Sequence, residues 1–405
     1  MSYIKRDMEE LVRGLTQEYA CILVTGPRQV GKSTMLEHLD GDRSKVTLDD
    51  LQERALARQD PEMFLKLHKP PVLIDEVQYA PELFSYLKIA IDRGAAPGSY
   101  WLTGSQSYKL MSLAQESLAG RIAILNLTSL SQHELYGSGE LLPFDVNLDV
   151  LQARALGIPV DVDEIFDRIW AGGLPGLASG KYLNRDIYYS SYLQTYLSRD
   201  VKEEISVKDD AKFIDFIRAA ACRVGQELNV HSIALDVDVS DDTAKRWLGM
   251  LEKSQVIFYL HPYSNNLLKR VVKTPKLYFF DTGLVSYLTK YSNPEILLNG
   301  SINGAILENY VVAEIRKSYL NCGKELFMYY YRDVQQQEID LILESNGQLH
   351  PIEIKKSSNP TMSMVKSFDV LKKASLPVGQ GAIICIKDQL TALDKDTLVV
   401  PIWAL

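Results

Sequence analysis

The segment from Gly26 to Thr34, GPRQVGKST, carries the clearest chemical signal in the chain because it fits the pattern GxxxxGK[ST]. An apolar run, Cys21 to Val24, precedes it and a helical pattern follows, as this motif requires. Its glycines let the backbone curl so that N–H groups point at a phosphate, while Lys32 reaches the β and γ oxygens and Ser33 offers a hydroxyl to Mg²⁺. We therefore expect a nucleotide phosphate site in which Lys32 also serves catalysis. The predicted binding residues are Gly26, Pro27, Arg28, Gln29, Val30, Gly31, Lys32, Ser33 and Thr34.

Two adjacent acids end the next apolar run, Val72 to Ile74, roughly forty residues after the loop. Asp75 is predicted to hold Mg²⁺ together with Ser33, and Glu76 to orient and deprotonate a water in line with the γ-phosphate. Adjacent carboxylates also occur as plain strand-end charges. Their pairing with the phosphate loop favours the catalytic interpretation.

A polar segment, Leu102 to Gln106, ends the following predicted strand. Ser105 or Gln106 could contact the γ-phosphate and the attacking water there. The alternative is a solvated loop, since small polar residues are common after strands.

Arg121 follows Gly120 and leads into a fourth apolar run. It could stabilise charge on the leaving phosphate, either in its own chain or in a neighbouring copy. A structural salt bridge is an equally good interpretation of this arginine.

A helix, a short turn and a second helix are predicted from Val230 to Asp236 and from Asp241 to Lys253, with Ser240 as the N-cap of the second. A hairpin follows, so the spacing is typical of a winged helix. Two acids, Asp241 and Asp242, stand where base contacts usually start and would repel phosphate. The module could therefore contact DNA or pack against a protein. Its basic residues are Lys245, Arg246, Lys269, Arg270, Lys273 and Lys276.

Near the C-terminus, EIDLILE and PIEIK predict a β-hairpin that brings Asp340, Glu353 and Lys355 together. Two carboxylates on adjacent strands can hold a divalent metal, and a neighbouring lysine can polarise or deprotonate a water that attacks a phosphodiester. Glu308, on the preceding predicted helix, could complete this nuclease-like set. A surface hairpin with charged residues is the alternative.

Composition and length limit these interpretations. The 405 residues predict two or three domains, and 46% hydrophobic residues exclude a disordered chain. A net charge of -8 disfavours a nucleic-acid coat protein, although a local basic face stays open. An N-terminus without an apolar core, and the lack of an apolar run of membrane length, predict a cytoplasmic protein without a membrane partner.

Periodicity predicts an α/β architecture of four segments. Alternating apolar runs and helices indicate a parallel sheet over residues 1–140, a P-loop core. Helical periodicity with a Gly-rich break indicates a helical lid over 141–206. The winged-helix-like segment is predicted over 207–292, and the nuclease-like α/β segment over 293–405.

Over essentially its whole length the chain resembles the prokaryotic AAA-type P-loop ATPases that carry an uncharacterised C-terminal domain. The resemblance rests on GPRQVGKST, VLIDEVQ, LTGSQS, SLAGRI, the GGLP turn, YLSRD, PKLYFFDTGL, EIDLIL and PIEIK, in that order. It implies an AAA+ module with a lid, a winged helix and a restriction-endonuclease-like PD-(D/E)xK fold. It also implies that Arg121 and Arg199 lie near phosphate.

Three functions follow as hypotheses. The first is Mg-dependent ATP hydrolysis that drives a conformational switch acting on a nucleic-acid or protein partner. The second is an ATP-gated nuclease with a second divalent metal at the C-terminal site, and the third is a slow nucleotide-dependent DNA-binding regulator. The protein could act as a monomer or as an AAA+-like oligomer.

Overall fold

The computed structural model describes residues 3–105, 116–137, 139–155, 161–197, 210–266, 270 and 274–405. Arg199, Lys269, Lys273 and Gln106 lie outside the described residues, as does part of the predicted lid. The described chain is of mixed α/β type, as predicted.

The front of the chain forms a parallel sheet, in the described residues five strands in the order β2-β3-β4-β1-β5. The strands are β1 (Cys21–Gly26), β2 (Ser44–Thr47), β3 (Val72–Asp75), β4 (Tyr100–Ser105) and β5 (Ile122–Asn126). The accompanying helices are α1 (Met8–Thr16), α2 (Lys32–Leu39), α3 (Leu51–Gln59), α4 (Pro61–Leu67) and α5 (Leu83–Asp92).

Four of these strands confirm the predicted runs, and β2 is the one that the apolar pattern misses. It lies at the edge of the sheet, where Ser44 and Lys45 are exposed and only Val46 is buried. An edge strand needs few apolar residues, so its sequence carries little periodicity.

Short helices follow the sheet: α6 (Gln132–Tyr136), α7 (Leu148–Arg154), α8 (Val162–Ala171), α9 (Pro175–Ala178) and α10 (Arg185–Ser191), which continues as a π-helix over Tyr192–Leu197. The predicted Gly-rich break falls between α8 and α10. Gly172 there adopts a φ of +80°, in the region that favours glycine.

The middle segment contains α11 (Asp210–Ala221), α12 (Val230–Asp236) and α13 (Asp241–Lys253), followed by antiparallel strands β6 (Ile257–Pro262) and β7 (Lys276–Phe279). The two helices of the predicted helix-turn-helix are confirmed at their predicted bounds. The Ser240 side chain accepts a hydrogen bond from the Thr243 backbone N–H and so caps α13.

A second sheet forms the rear of the molecule. It is joined to the middle segment by helices α14 (Thr282–Leu288), α15 (Pro294–Asn299) and α16 (Asn303–Asn321). Its further strands are β8 (Phe327–Arg332), β9 (Glu338–Ser345), β10 (Gln348–Lys355), β11 (Gly381–Cys385), β12 (Thr391–Ala392) and β13 (Thr397–Pro401). A 3₁₀ segment spans Met362–Lys373.

The strand order of this sheet is β12-β13-β11-β10-β9-β8-β6-β7 in the described residues. Parallel pairing of His261 with Tyr329 and of Pro262 with Tyr330 joins β6 to β8. The middle hairpin and the C-terminal strands therefore share one hydrogen-bonded sheet. Along the described chain, helices long and apolar enough to cross a bilayer are absent.

Candidate nucleotide site

The loop after β1 has the backbone that its glycines permit. Gly26 adopts a φ of +141°, and a Cβ there would lie 2.0 Å from the carbonyl oxygen of Leu127. Gly31 adopts a φ of +90° immediately before α2. Residues with a side chain are strongly disfavoured at both positions, so glycine is needed there. The loop leads directly into the N-terminus of α2, where backbone N–H groups bind anions favourably.

Lys32 is buried, and its Nζ donates to the carbonyl oxygens of Gly26 at 3.0 Å and Pro27 at 2.8 Å. These bonds close the loop on itself. A phosphate that binds the Lys32 ammonium has to replace these two hydrogen bonds. The negative charge of the phosphate favours the exchange, because charge-assisted hydrogen bonds are the stronger ones.

Asp75 is the centre of a hydrogen-bonded group at the ends of β2, β3 and β4. Its Oδ1 accepts from the hydroxyls of Ser33 and Thr103, and its Oδ2 lies 3.4 Å from the Thr47 hydroxyl. The structure therefore brings Ser33 and Asp75 together. A hydroxyl and a carboxylate oxygen are the ligands that Mg²⁺ prefers, so these residues would hold the ion.

Glu76 adopts a φ of +59°, which turns the chain sharply away from β3. Its backbone N–H donates to the Thr103 hydroxyl at 3.2 Å, and its carboxylate accepts from the Gln78 side chain. The two adjacent carboxylates therefore have different hydrogen-bond partners, and their separate roles stay a prediction.

Thr103 was missed by the sequence reasoning, which selected Ser105 or Gln106 on the same segment. The Thr103 hydroxyl is buried and contacts both Asp75 and the Glu76 backbone. Ser105 pairs with Gly26 through the backbone, so it lies at the loop end of β4. A threonine within an otherwise apolar strand was the available signal.

We expect the Thr103→Val variant to lower the rate of ATP hydrolysis about 10- to 100-fold while changing KM little, because small misplacement of reacting groups costs about that much. The substitution removes the hydroxyl but keeps the side-chain shape. Steady-state phosphate release measures the effect. Thr47→Val is the matched control, since Thr47 contacts Asp75 only at 3.4 Å. Equal effects of the two substitutions would contradict the role of Thr103.

Arg121 does not contact the phosphate loop of its own chain. It precedes the start of β5, which pairs with the start of β1, whereas the loop follows the end of β1. Its guanidinium forms an ion pair with Asp92, at 2.5 Å. The structure thus shows the salt bridge that was the alternative interpretation of Arg121. A role on the phosphate of a neighbouring copy stays a prediction.

A cavity of about 440 Å³ opens beside the phosphate loop. The N-terminal segment before α1, the loop itself and the turn that contains α9 line it, together with Leu130 after β5 and Tyr188 on α10. Its lining includes Tyr3, Ile4, Gln29, Val30, Gly31, Thr34, Leu130, Pro175, Gly176, Tyr182 and Tyr188.

Arg6 connects the loop to the cavity wall and was not found from the sequence. The buried guanidinium donates to the carbonyl oxygens of Val30 at 2.6 Å and Thr128 at 2.9 Å, and pairs with Glu134 at 2.7 Å. A buried, fully bonded arginine of this kind fixes the backbone of the loop from outside.

The predicted C-terminal hairpin brings Asp340, Glu353 and Lys355 together. Lys355 Nζ lies 2.5 Å from Glu353 and 3.5 Å from Asp340, and the Ile354 backbone N–H donates to Asp340 at 2.8 Å. The second oxygen of Glu353 is buried and has no hydrogen-bond partner among the described residues. Burial raises the pKa of Glu353 to about 7, and the charge of Asp340 acts in the same direction.

Glu308 lies beside this group but binds other partners. It accepts from Lys276 at 3.0 Å and Tyr278 at 2.5 Å, and Lys276 also pairs with Glu338 at 2.7 Å. Burial, with the charge of Asp340, raises the pKa of Glu308. Across the described residues, three or more His, Cys, Asp or Glu side chains are nowhere grouped to hold a metal ion.

Two basic residues of the predicted winged-helix module bind acids within the molecule. Lys276 is buried between Glu308 and Glu338. Arg270 donates to Tyr329 at 3.0 Å and Glu344 at 3.1 Å, and its guanidinium lies over two tyrosine rings. Both are paired with acids of the C-terminal segment, far away in the sequence, while DNA contact by the module as a whole stays a prediction.

The raised pKa of Glu353 makes stability depend on pH. Its ordinary value is 4.5 and its folded value is about 7, so the carboxyl favours folding when protonated, and this contribution is lost as pH rises from 4.5 to 7. We expect Glu353→Gln to remove this loss. At pH 8 the free energy of unfolding of the variant should exceed that of wild type by up to about 3 kcal/mol, since one pKa unit corresponds to about 1.4 kcal/mol.

Thermal unfolding in EDTA at pH 5 and pH 8 checks this expectation. Glu325→Gln, at an exposed position of the same segment, is the control. It should leave the difference between the melting temperatures at pH 5 and pH 8 as it is in wild type. A wild-type protein and a Glu353→Gln variant with parallel pH profiles would contradict the raised pKa.

Comparison with known protein families identifies the front segment. Residues 18–136 match the family described as AAA domain. This segment is therefore similar to AAA domains. Residues 162–295 match a domain of unknown function (DUF8612), and residues 303–405 match another domain of unknown function (DUF4143). Residues 18–136 contain the phosphate loop, both adjacent acids and Thr103.

Similar proteins extend across most of the chain. The uncharacterized proteins Rv2008c of Mycobacterium tuberculosis and Mb2031c of Mycobacterium bovis are each 29% identical over 364 residues, covering 89% of this chain and 75% of theirs. Among solved structures, a Walker-type ATPase of Pyrococcus abyssi is similar with a TM-score of 0.41 and 16% identity, over 70% of this chain and 94% of that one.

Proposed function

We propose that the protein binds and hydrolyses Mg-ATP, and that turnover drives a conformational change that acts on a nucleic-acid or protein partner. One observation carries the proposal: Lys32, Ser33, Asp75 and Glu76 converge at the carboxyl ends of β1 and β3, beside a cavity, within an AAA-type domain. This arrangement supports an in-line attack on a γ-phosphate, with positioning and charge as the main contributions.

Each residue has a distinct task in this mechanism. The loop N–H groups and Lys32 bind the phosphates, and Lys32 neutralises charge that develops on the β–γ bridge. Ser33 and Asp75 would hold Mg²⁺, which supplies charge neutralisation when bound. Glu76 accepts a proton from the attacking water, while Thr103 keeps Asp75 and Glu76 at a fixed separation.

The nucleobase would occupy the cavity of about 440 Å³. Aromatic and apolar side chains, including Tyr182, Tyr188 and Pro175, give it the apolar character that a planar base requires. Because the N-terminal segment and the α9 turn both line the cavity, a bound base would contact both and draw these parts together. This closure is the conformational step that we assign to the switch.

Phosphate release from Mg-ATP, measured alone and with single- or double-stranded DNA, tests the proposal. Turnover that DNA stimulates would support a nucleic-acid partner, and turnover indifferent to DNA would support a protein partner. Binding without turnover would support the slow regulator instead. Failure of Mg-ATP to bind would overturn the proposal as a whole.

A second candidate function, metal-dependent phosphodiester cleavage, is favoured by the buried Glu353 oxygen that lacks a partner among the described residues. A metal held by Asp340 and Glu353 would require Lys355 to leave both carboxylates. Nicking of supercoiled DNA in Mn²⁺ tests this candidate, with Asp340→Asn as the expected inactive variant. Nicking that persists in Asp340→Asn, or a wild type inert on DNA and RNA, would refute it.

A further inference from the structure

The GGLP turn and the DTGL segment, far apart in sequence, meet at the side chain of Asp281. This carboxylate is buried and accepts three hydrogen bonds. Its Oδ2 accepts from the Gly173 backbone N–H at 2.7 Å, and its Oδ1 from the Leu284 N–H at 2.9 Å and from the Tyr189 hydroxyl at 2.8 Å. One side chain therefore joins the turn beside the cavity to the start of α14.

Gly173 places this contact next to the cavity wall. Its carbonyl oxygen accepts from the Leu130 N–H at 2.7 Å. A Cβ on Gly173 would lie 2.5 Å from the Leu130 carbonyl oxygen, so glycine permits the close approach. Leu130 and Pro175, two residues beyond Gly173, both line the cavity.

Helix α16 also forms hydrogen bonds with the chain around Leu130, which lines the cavity. Lys317 Nζ, on α16, donates to the Leu130 carbonyl oxygen at 3.0 Å and pairs with Glu314 at 2.8 Å. Glu314 in turn accepts from the Gln132 backbone N–H at 2.6 Å. Groups from α16 and from the start of α14 therefore fix a wall formed by the front of the chain.

We propose that Asp281 is a positioning residue for the nucleotide, which fixes the Gly173 turn against Leu130 and couples occupancy of the cavity to helix α14. This proposal rests on nucleotide binding in the cavity, as proposed above. A ligand that orders the wall strengthens the bond from Gly173 to Asp281. By the reciprocity of linkage, it then also orders the amide of Leu284 that the same carboxylate caps.

The variant Asp281→Asn separates this role from the capping role. An asparagine oxygen can still accept from the Leu284 N–H and the Tyr189 hydroxyl, whereas its NH₂ group faces the Gly173 N–H and cannot bind it. We expect about tenfold weaker binding of methylanthraniloyl-ADP, the size of effect that loss of one bond to a charged group produces. Tyr189→Phe is the matched control, because it removes one bond to Oδ1 and leaves the Gly173 bond intact; we expect affinity within about twofold of wild type.

Hydrogen exchange supplies a readout that a purely structural role would not move. In wild type, methylanthraniloyl-ADP should slow amide exchange over 282–288, and Asp281→Asn should abolish this slowing. Without nucleotide, Asp281→Asn is expected to melt at a lower temperature than wild type because the buried Gly173 N–H loses its acceptor, so exchange is compared at a temperature at which both proteins are folded. Gly173→Ala keeps the Asp281 side chain but pushes the turn away from Leu130, and it should weaken binding in the same way.

The outcomes separate the two proposals. If Asp281→Asn or Gly173→Ala binds methylanthraniloyl-ADP as well as wild type does, the role of Asp281 is overturned. The proposed function is unaffected by that result. Equal weakening by Asp281→Asn and Tyr189→Phe also overturns it, since general disturbance would then explain both. Wild type that fails to bind the probe overturns the proposed function itself.

Discussion

The Glu76→Gln variant is expected to bind Mg-ATP as wild type does and to hydrolyse it at least about 100-fold more slowly, because a positioned general base contributes roughly 10²–10⁴ to a rate. Glutamine keeps the size of the side chain and can still contact Gln78, but it cannot accept the proton of the attacking water. Phosphate release measures turnover, and titration calorimetry of ATP measures binding.

Glu82→Gln is the control for this experiment. Glu82 is exposed at the start of α5, away from Asp75, and its neutralisation should leave both binding and turnover at wild-type values. Unchanged hydrolysis in Glu76→Gln would show that another group activates the water. Loss of ATP affinity in the same variant would mean instead that Glu76 supports the site rather than the chemistry.

The Lys32→Ala variant is expected to lose nucleotide affinity by about 100-fold or more, since charge-assisted bonds to phosphate contribute several kcal/mol in a buried site. Lys32 also closes the loop through the carbonyl oxygens of Gly26 and Pro27, so the variant loses both the charge and part of the loop's order. Calorimetric titration with Mg-ATP measures the loss of affinity. The melting temperature of the variant, with and without ATP, measures the loss of order in the loop.

Lys88→Ala, at an exposed position on α5, serves as the matched charge control and should bind ATP normally. Lys32→Ala that retains ATP affinity within about threefold would show that the loop of residues 26–34 is not the phosphate site.

The front sheet and its chemistry could be predicted because the information is local. Gly26, Gly31 and Lys32 belong to one loop, and Asp75 ends a strand whose apolar run is visible without any knowledge of its neighbours. The C-terminal hairpin was predictable for the same reason: alternation fixes the register that brings Asp340 opposite Glu353.

The residues that the sequence did not reveal depend on contacts between distant segments. Arg6 acquires its role from carbonyl oxygens more than twenty residues away and from Glu134. Lys276 is a surface-like lysine in the sequence and becomes buried because Glu308 on α16 and Glu338 on β9 pair with it. Charge pairing across 30 or more residues leaves no periodic trace that a single sequence can show.

The hydrogen bonds between β6 and β8 bear on how this protein can be divided for expression. A fragment that ends near residue 295 would leave the edge of β6 open and Lys276 without Glu308 and Glu338, its buried partners. Open strand edges promote aggregation, and an unpaired buried charge is strongly destabilising. Stretches 162–295 and 303–405, matched as separate families, are therefore expected to be soluble when expressed together and to precipitate when expressed apart.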